Sequence, residues 1–359
     1  MIRRSVIPLN NITKAKKDKI NLLISNYVKF EQKVINTLWN HKINYSRFVD
    51  KKYFQKIKTP LTERYKQCAS KQALAVVKSQ NKKENKRKPV IKNKSLELDN
   101  RFIKIENGKN SFDLWIKLSI LGERPIYLPA KKHYHLNNYL NSDWNLKDSC
   151  RLRRNRKGLF LDLFFEKEQE LKEKGEIVGL DIGYRKLAVL SDGEIIGKDL
   201  REVIKKFYNR KKSHLIVKEY INKELKKINF SNINVLVVED LKNVKKNKKH
   251  RFTRHINRLL SNWAYRQALF KLEMLCEENR VYNPQVNPFG TSQVCNQCKV
   301  RDKTNRKDER YECRHCGWRA DADYNSALNI RDFWLVQGEY GILSENRSCI
   351  PMVNRDILL

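Results

Sequence analysis

Residues 291–330 read TSQVCNQCKVRDKTNRKDERYECRHCGWRADADYNSALNI and contain two Cys-x-x-Cys pairs. The pairs, Cys295/Cys298 and Cys313/Cys316, are separated by 14 residues. Each pair can place two thiolates on one tight turn, and two such turns complete a tetrahedral shell of four sulfurs around a structural Zn²⁺ ion. We therefore predict a zinc ribbon over residues 290–320 in which the four cysteines hold the metal.

Two acids follow the second cysteine pair. Asp321 and Asp323 stand directly before residues 324–330, a segment that is typical of a helix start. A ribbon stabilised by a metal would hold a carboxylate at a fixed place. From the residues alone, either acid can be the one that acts there.

Two apolar stretches elsewhere in the chain also run into an acid. VGLDIG predicts a strand that ends at Asp181, and NVLVVEDL predicts a second strand that ends at Glu239. An acid at the end of a strand lies at the solvent edge of a sheet, where it can hold a metal. Ligands that are all oxygen suit Mg²⁺ or Mn²⁺ rather than zinc. We predict that these two acids and one of Asp321 and Asp323 converge on two metal ions that support phosphodiester hydrolysis.

The charge of the chain predicts a polyanionic partner. Lys and Arg outnumber Asp and Glu by 76 to 40, and the basic residues are spread over all 359 positions. Two runs are especially basic, with seven Lys/Arg in residues 80–94 and six in residues 242–251. Each run can be a solvated linker or a loop that contacts phosphates. A ribosomal or chromatin type of binding protein is the simpler alternative to an enzyme.

The spacing of the cysteines indicates a reducing compartment. The four cysteines outside the two pairs are isolated in sequence, which does not suggest a disulfide framework. The sequence shows neither a signal peptide nor an apolar run long enough to span a membrane. We expect a cytoplasmic, nucleoid-associated protein of a prokaryote.

Local patterns predict the order of the elements. A strand over residues 2–9 precedes an amphipathic helix over residues 20–38. Thr59-Pro60 is a helix-start signal for a second helix over residues 61–77. A strand over residues 112–121 and a hairpin with its turn at residues 155–158 follow, so a β-rich unit is split by a helical insert. Farther on, we predict one basic helix over residues 200–228, a helix that ends near Glu278 and a strand over residues 281–286.

The stretch DIGYRKLAVLSDG has a competing interpretation, because actin-like ATPases hold a phosphate on a similar strand, turn and strand. Those enzymes need a second Asp-x-Gly turn and a glycine-rich motif for the adenosine. The chain has only 12 glycines, and neither feature is evident.

The set VGLDIG, VVEDLKN, TSQVCNQC, YECRHCG and DADYNSALNI closely resembles the TnpB family of transposon-encoded nucleases. Those nucleases are related to miniature type V CRISPR effectors and to the Fanzor proteins. The resemblance covers roughly residues 127–330. The chain departs from the family pattern at Lys299, where a glycine usually follows the first cysteine pair, and it is short for the family.

The resemblance implies a multidomain α+β fold. An RNase H-like (RuvC) nuclease over residues 171–289 and 321–336 would be interrupted by the zinc ribbon at 290–320. An oligonucleotide-binding-like barrel, the wedge, would occupy residues 1–10 and 96–170, with a helical recognition insert and basic linker at 11–95. Residues 337–359 would form a C-terminal tail.

Carried over by position, Asp181 and Glu239 match the first and second catalytic acids of the family. Asp323, directly before Tyr-Asn, matches the third, which leaves Asp321 either as a helix-capping acid or as an acid that supports a metal ligand without binding the metal itself. The resemblance thus implies that Asp181, Glu239 and Asp323 bind Mg²⁺ or Mn²⁺ and that Zn²⁺ is structural.

The function that the resemblance implies is an RNA-guided DNA endonuclease. It would bind a structured guide RNA, read a short target-adjacent motif and cleave double-stranded target DNA, with a functional link to a separate transposase. Two alternatives remain: an RNA-guided DNA-binding repressor that does not cleave, and a DNA-binding transposition factor that acts without guide RNA.

Overall fold

A computed structural model describes residues 1–41, 48–92, 94–108, 111–120, 123–207, 212–240 and 265–340, and for residues 337–340 it describes the backbone alone. The chain divides into two compact units, Met1–Glu168 and Gln169–Leu359. Both mix helices with strands, so the predicted multidomain α+β class is confirmed at this level. No helix in the described ranges is long and apolar enough to cross a membrane.

The first unit is built on antiparallel strands and two long helices. Its strands are β1 (Ile2–Pro8), β2 (Lys94–Leu98), β3 (Ile103–Asn107), β4 (Leu114–Leu118), β5 (Ile126–Ala130), β6 (Asn145–Asn155) and β7 (Gly158–Glu166). Its helices are α1 (Lys14–Asn40), a 3-10 turn (Lys51–Tyr53), α2 (Glu63–Asn81) and α3 (Tyr134–Leu140). One sheet has the strand order β1-β7-β6-β2 and the other β3-β4-β5.

The predicted split of the β-rich unit is present in the first sheet. β1 pairs along its whole length with β7, although helices α1 and α2 lie between them in sequence. Leu159, Leu161, Leu163 and Phe165 alternate along β7 and are all buried, as the period of a strand requires. The described strands form two separate sheets, and a closed wedge barrel stays a prediction.

In its described residues, the second unit holds a mixed sheet, a small ribbon and four helices. Its strands are β8 (Glu176–Asp181), β9 (Ala188–Leu190), β10 (Ile195–Ile196), β11 (Ile233–Glu239), β12 (Gln285–Val286), β13 (Arg306–Lys307), β14 (Arg310–Glu312) and β15 (Arg319–Asp321). Its helices are α4 (Leu200–Phe207), α5 (Ser213–Leu225), α6 (Tyr265–Glu278) and α7 (Ala322–Tyr340). The five-stranded sheet has the order β10-β9-β8-β11-β12, and β13-β14-β15 form the ribbon.

Alternation along β11 covers both faces of the five-stranded sheet. Leu236 and Val238 belong to the core that the sheet shares with α4, α5 and α6. Val237 belongs to a separate buried cluster that includes Ile330 of α7. Successive side chains of a strand point to opposite faces, so α7 covers one face and the other three helices cover the second.

Several predicted element bounds differ from the structure. The strand expected over residues 112–121 is β4, and the helix expected over residues 20–38 is the longer α1. The single helix expected over residues 200–228 is two helices, and Lys212, with φ of 69°, adopts a left-handed conformation directly before α5. Helix α2 begins at Glu63, with Thr62 as its N-cap residue, rather than at residue 61, and it continues to Asn81 beyond the predicted end at residue 77. The strand expected over residues 281–286 is reduced to β12 after Pro284, which has no N–H to donate.

Candidate active site

Asp181 and Glu239 lie side by side at the ends of neighbouring parallel strands. In the register of β8 with β11, Leu180 is the partner of Val238. The next residue on each strand is therefore an acid at the same edge of the sheet. Because both acids are in phase with residues that face α7, Ile177 on β8 and Val237 on β11, their side chains point toward that helix.

Asp323 stands in the first turn of α7, which packs closely on β8. A Cβ atom added to Gly179 would lie 2.1 Å from the Ala327 backbone oxygen and 2.6 Å from the Arg331 backbone nitrogen. Only a glycine therefore permits the observed distance between helix and strand. This close approach brings the first turn of α7 to the sheet edge that carries Asp181.

The three acids are near enough for their charges to interact. Burial raises the pKa of Asp181 well above its usual value, and the charges of Glu239 and Asp323 raise this pKa further. Burial also raises the pKa of Glu239. Carboxylates that oppose one another's ionisation in this way, with oxygen as their only donor atom, fit a divalent cation such as Mg²⁺ or Mn²⁺.

Arg306, which no sequence motif indicates, supplies positive charge to the same site. Its Nη2 donates to Asp323 Oδ1 at 2.7 Å, and its charge lowers the pKa values of both Asp181 and Glu239. Arg306 belongs to β13 in the ribbon and lies among several other basic residues in sequence. Nothing in the linear pattern distinguishes it from those neighbours.

Asp321 caps the N-terminus of α7. Its Oδ1 accepts hydrogen bonds from the backbone nitrogens of Asp323 at 3.0 Å and Tyr324 at 3.2 Å, and its second oxygen accepts from Lys186 Nζ. Both carboxylate oxygens are thus engaged, as expected for a capping acid. The assignment of catalysis to Asp323 rather than Asp321 stays a prediction.

The side chain of Glu239 also accepts a hydrogen bond from a residue that no sequence motif indicates. The hydroxyl of Thr291, a residue that is 2% exposed, lies 2.5 Å from Glu239 Oε1. This hydrogen bond lowers the pKa of Glu239 against the effect of burial. Thr291 is 52 positions away in sequence, so only the fold brings the pair together.

The four cysteines of the ribbon cluster as predicted. Their sulfur atoms all lie within 4.8 Å of one another, and within the described ranges they form the one group of three or more potential metal ligands at such spacing. Cys295 and Cys316 sulfurs are 3.7 Å apart, and those of Cys298 and Cys313 are 3.6 Å apart. A tetrahedron with metal–sulfur bonds of about 2.3 Å has edges of roughly 3.8 Å, so the cluster is compatible with a zinc site.

Local contacts shift the pKa values of the ribbon thiols in both directions. Burial raises the pKa of Cys295 to about 12 and also raises the pKa of Cys298. Burial raises the pKa of Cys313 too, but hydrogen bonds from the backbone of Cys316 and His315 outweigh it and bring this pKa to about 7, which favours the thiolate at Cys313. Lys299, at the position where the family usually has glycine, adopts a left-handed conformation with φ of 61°. Its backbone nitrogen donates to the Cys295 oxygen at 2.8 Å, so the turn forms with lysine at this place.

A cavity of about 510 Å³ opens beside Asp323 and Arg306. Ribbon and sheet edge both line it, and its side chains carry both signs of charge. The lining residues are Gly183, Tyr184, Arg185, Ser292, Gln293, Lys303, Arg306, Asp308, Glu309 and Asp323. The cavity is therefore polar, and of the three candidate acids Asp323 lines it.

The structure describes most of one predicted basic run and none of the other. Residues 242–251 lie outside the described ranges. Residues 80–94 connect the end of α2 to the start of β2, and Lys82, Lys83, Lys86, Arg87 and Lys88 are all exposed. Their contact with phosphates stays a prediction.

Comparison with known proteins gives matches of two kinds. Residues 265–330 match the family described as Cas12f1-like, TNB domain. Over 75 residues the chain is 39% identical to the CRISPR-associated endodeoxyribonuclease Cas12f1 of Sulfoacidibacillus thermotolerans, a stretch that is 21% of this chain and 18% of that protein. The chain thus aligns with less than a fifth of the length of this curated relative.

Among solved structures, the chain is similar to the cryo-EM structure of the Cas12f1-sgRNA-target DNA complex. The TM-score is 0.58 at 14% identity, over 89% of this chain and 83% of that chain. At this identity the likeness establishes the fold alone. Together, the sequence and fold matches confirm the predicted resemblance to miniature type V effectors and are consistent with a TnpB-like family.

Proposed function

We propose that this protein is an RNA-guided DNA endonuclease that cleaves phosphodiesters with divalent metal ions. The observation that carries the proposal is the convergence of three carboxylates and one arginine beside a polar cavity in a chain of formal charge +36. A strongly basic surface attracts nucleic acid, and a group of acids at a sheet edge suits metal-dependent hydrolysis. The Cas12f1 relative is named an endodeoxyribonuclease, which supports the same class of reaction.

Each residue of the proposed site has a separate task. Asp181, Glu239 and Asp323 would hold the metal ions, which when bound lower the pKa of water and stabilise charge on the reacting phosphate. Arg306 would hold Asp323 in place through its ion pair at 2.7 Å. Asp321 would fix the start of α7, and the cysteines would hold a structural zinc ion. In the reaction, the oxygen of water bonds to phosphorus, the bond from phosphorus to the leaving oxygen breaks, and the proton that the water loses is matched by one that the leaving oxygen gains.

The proposed partners are a structured guide RNA and double-stranded target DNA. A solved relative of similar fold is a complex with guide RNA and target DNA, and this supports the assignment. We further propose the domain roles stated above, with the RuvC-like nuclease at 171–289 and 321–336 and the wedge and recognition insert in residues 1–170. The nuclease would use guide pairing for sequence choice and protein contacts for a short flanking motif.

Substitution of Asp181 by Ala tests the cleavage. We expect cutting of a matched plasmid target to fall by about 1,000-fold, because the loss of a metal ligand removes several kcal/mol of transition-state stabilisation. Binding of the same target should be nearly unchanged. The control is Asp192→Ala, since Asp192 is an exposed turn residue that accepts a hydrogen bond from the Glu194 backbone. Equal cutting by Asp181→Ala and the wild type would contradict the proposal.

The guided character is tested by the RNA that accompanies the protein. When the chain is expressed together with its native flanking DNA, we expect a discrete RNA from that locus to co-purify. Sequencing this RNA would identify the guide segment. Protein that is free of bound RNA and still binds DNA would instead favour the transposition factor.

A further inference from the structure

Thr291 lies in the loop that connects the sheet to the ribbon, between β12 and the first cysteine pair. Its hydroxyl is within hydrogen-bond distance of two acceptors, Glu239 Oε1 at 2.5 Å and the Pro288 backbone oxygen at 3.0 Å. A threonine hydroxyl has one proton to donate. The nearer acceptor is a carboxylate, and hydrogen bonds to charged acceptors are the stronger ones.

The loop that carries Thr291 is held by α7. Asn329 Nδ2 donates to the backbone oxygens of Thr291 at 2.8 Å and Val294 at 2.7 Å. Asn325, one turn earlier in the helix, donates to the Val294 oxygen at 3.0 Å and accepts from the Asn296 backbone at the same distance. Both asparagines are fully buried, at 0% and 1% exposure, so their amides form hydrogen bonds with this loop and not with water.

The same loop continues into the cysteine cluster at Cys295. One short segment therefore joins three structures: the thiol cluster, helix α7, which bears Asp323, and the carboxylate of Glu239. A carboxylate held through one oxygen by a fixed hydroxyl presents its other oxygen in a fixed direction. A freely rotating glutamate side chain would pay conformational entropy to do so.

We infer that Thr291 is a positioning residue, whose hydroxyl orients Glu239 for binding of a divalent cation while Asn325 and Asn329 hold its loop against α7. The inference rests on the proposed nuclease function. It adds that the loop before the ribbon, through Thr291, fixes the orientation of Glu239. The task of the ribbon is then in part to set the geometry of a metal ligand that lies outside it.

Two substitutions separate this role from simple packing. Thr291→Val keeps the shape of the side chain and removes the hydroxyl, whereas Thr291→Ser keeps the hydroxyl and removes a methyl group. If the residue only fills space, valine should be the better replacement. If it orients Glu239, serine should be the better replacement.

The first measurement is Mn²⁺ binding to the zinc-loaded full chain, freed of nucleic acid and titrated by electron paramagnetic resonance. The Mn²⁺ site of interest is the one that Asp181→Ala weakens. We expect Thr291→Val to weaken Mn²⁺ binding at this site by about tenfold, because the variant loses a hydrogen bond to a charged group. Thr291→Ser should remain within about threefold of the wild type. Wild-type Mn²⁺ binding by Thr291→Val would overturn the inference.

The second measurement is zinc content, which we expect to stay at one ion per chain in both variants. Loss of zinc from Thr291→Val would assign the hydroxyl to the folding of the loop and would overturn the inference. The third is the Mg²⁺ concentration for half-maximal cutting by the guided complex, which should rise in Thr291→Val and recover in Thr291→Ser. A wild-type protein that never cuts would refute the proposed nuclease, whereas the Mn²⁺ titration would still decide the role of Thr291.

Discussion

The five-stranded sheet and the ribbon lie in the same unit but are stabilised in different ways. The sheet shares a large buried core with helices α4, α5 and α6. The buried cluster of the ribbon consists of Cys295, Tyr311 and Cys313 together with Ala322 of α7, and Cys298 and Trp318 pack against it partly buried. Three of these residues are thiols of the proposed zinc site. This small apolar area cannot offset the conformational entropy that the ribbon loses on folding. We therefore attribute the order of the ribbon to metal binding and to contacts with α7.

This difference bears on the candidate site, because the site takes residues from both structures. Asp181 and Glu239 stand on strands that burial holds in place. Arg306 and Thr291 belong to or adjoin the ribbon. The site therefore depends on two independent sources of stability, and each can be removed separately.

The largest effect is expected from Cys295→Ser. Loss of a thiolate should release zinc, which contributes on the order of 10 kcal/mol to the folding of such ribbons. Zinc analysis should show well under one ion per chain, and cutting should be lost because Arg306 and Thr291 lose their places. The matched control is Cys276→Ser in the sheet core, a buried cysteine that should cost about 1–3 kcal/mol and leave zinc in place. Full zinc content in Cys295→Ser would remove the distinction between the two structures.

An intermediate effect is expected from Gly179→Ala, which acts on the contact between the sheet and α7. The new Cβ would lie 2.1 Å from the Ala327 oxygen, so the helix must shift at a cost of about 1–3 kcal/mol. Asp323 moves with α7, and cutting should fall even at temperatures where the protein is folded.

Leu236→Ala is the comparison for this variant. It should destabilise the sheet by about 2–5 kcal/mol from the opposite face, as measured by thermal unfolding, without altering the contact with α7. We expect this variant to cut normally while folded. If both variants cut equally well, the spacing between α7 and β8 does not control the site.

The smallest effect is expected from Arg319→Ala. Arg319 pairs with Glu312 across β14 and β15 at 2.7 Å, but their side chains are 76% and 59% exposed. Such a pair contributes about 0.5 kcal/mol or less. A double-mutant cycle with Glu312→Ala, followed by thermal unfolding, measures the coupling. A coupling above about 1 kcal/mol would show that surface ion pairs share the stabilisation of the ribbon that we assign to the metal.

Prediction from sequence succeeded where the pattern is local. The hairpin of β6 and β7, the long stripe of α1 and the strands that end at Asp181 and Glu239 all follow from periodicity and turn residues. Helix bounds were less accurate, as Lys212 and the start of α2 demonstrate. Those bounds depend on single backbone conformations that composition does not specify.

The candidate site was only partly accessible to the same reasoning. The acids could be named because they follow apolar strands, and their assignment as metal ligands stays a prediction. Arg306 and Thr291 were missed, because no motif marks either residue. The contact of Arg306 with Asp323 and that of Thr291 with Glu239 form only in the folded chain.

By itself, the sequence determined the cysteine cluster, the acids at the ends of strands and the basic charge of this protein, because these depend on residue type and short spacing. The tertiary structure alone decided which side chains meet at the site. The parallel register of β8 and β11 sets Asp181 beside Glu239, and Gly179 lets α7 bring Asp323 to them. Thr291 reaches Glu239 across 52 positions through a loop that buried asparagines hold. Such contacts depend on long-range pairing and packing, which local pattern does not encode.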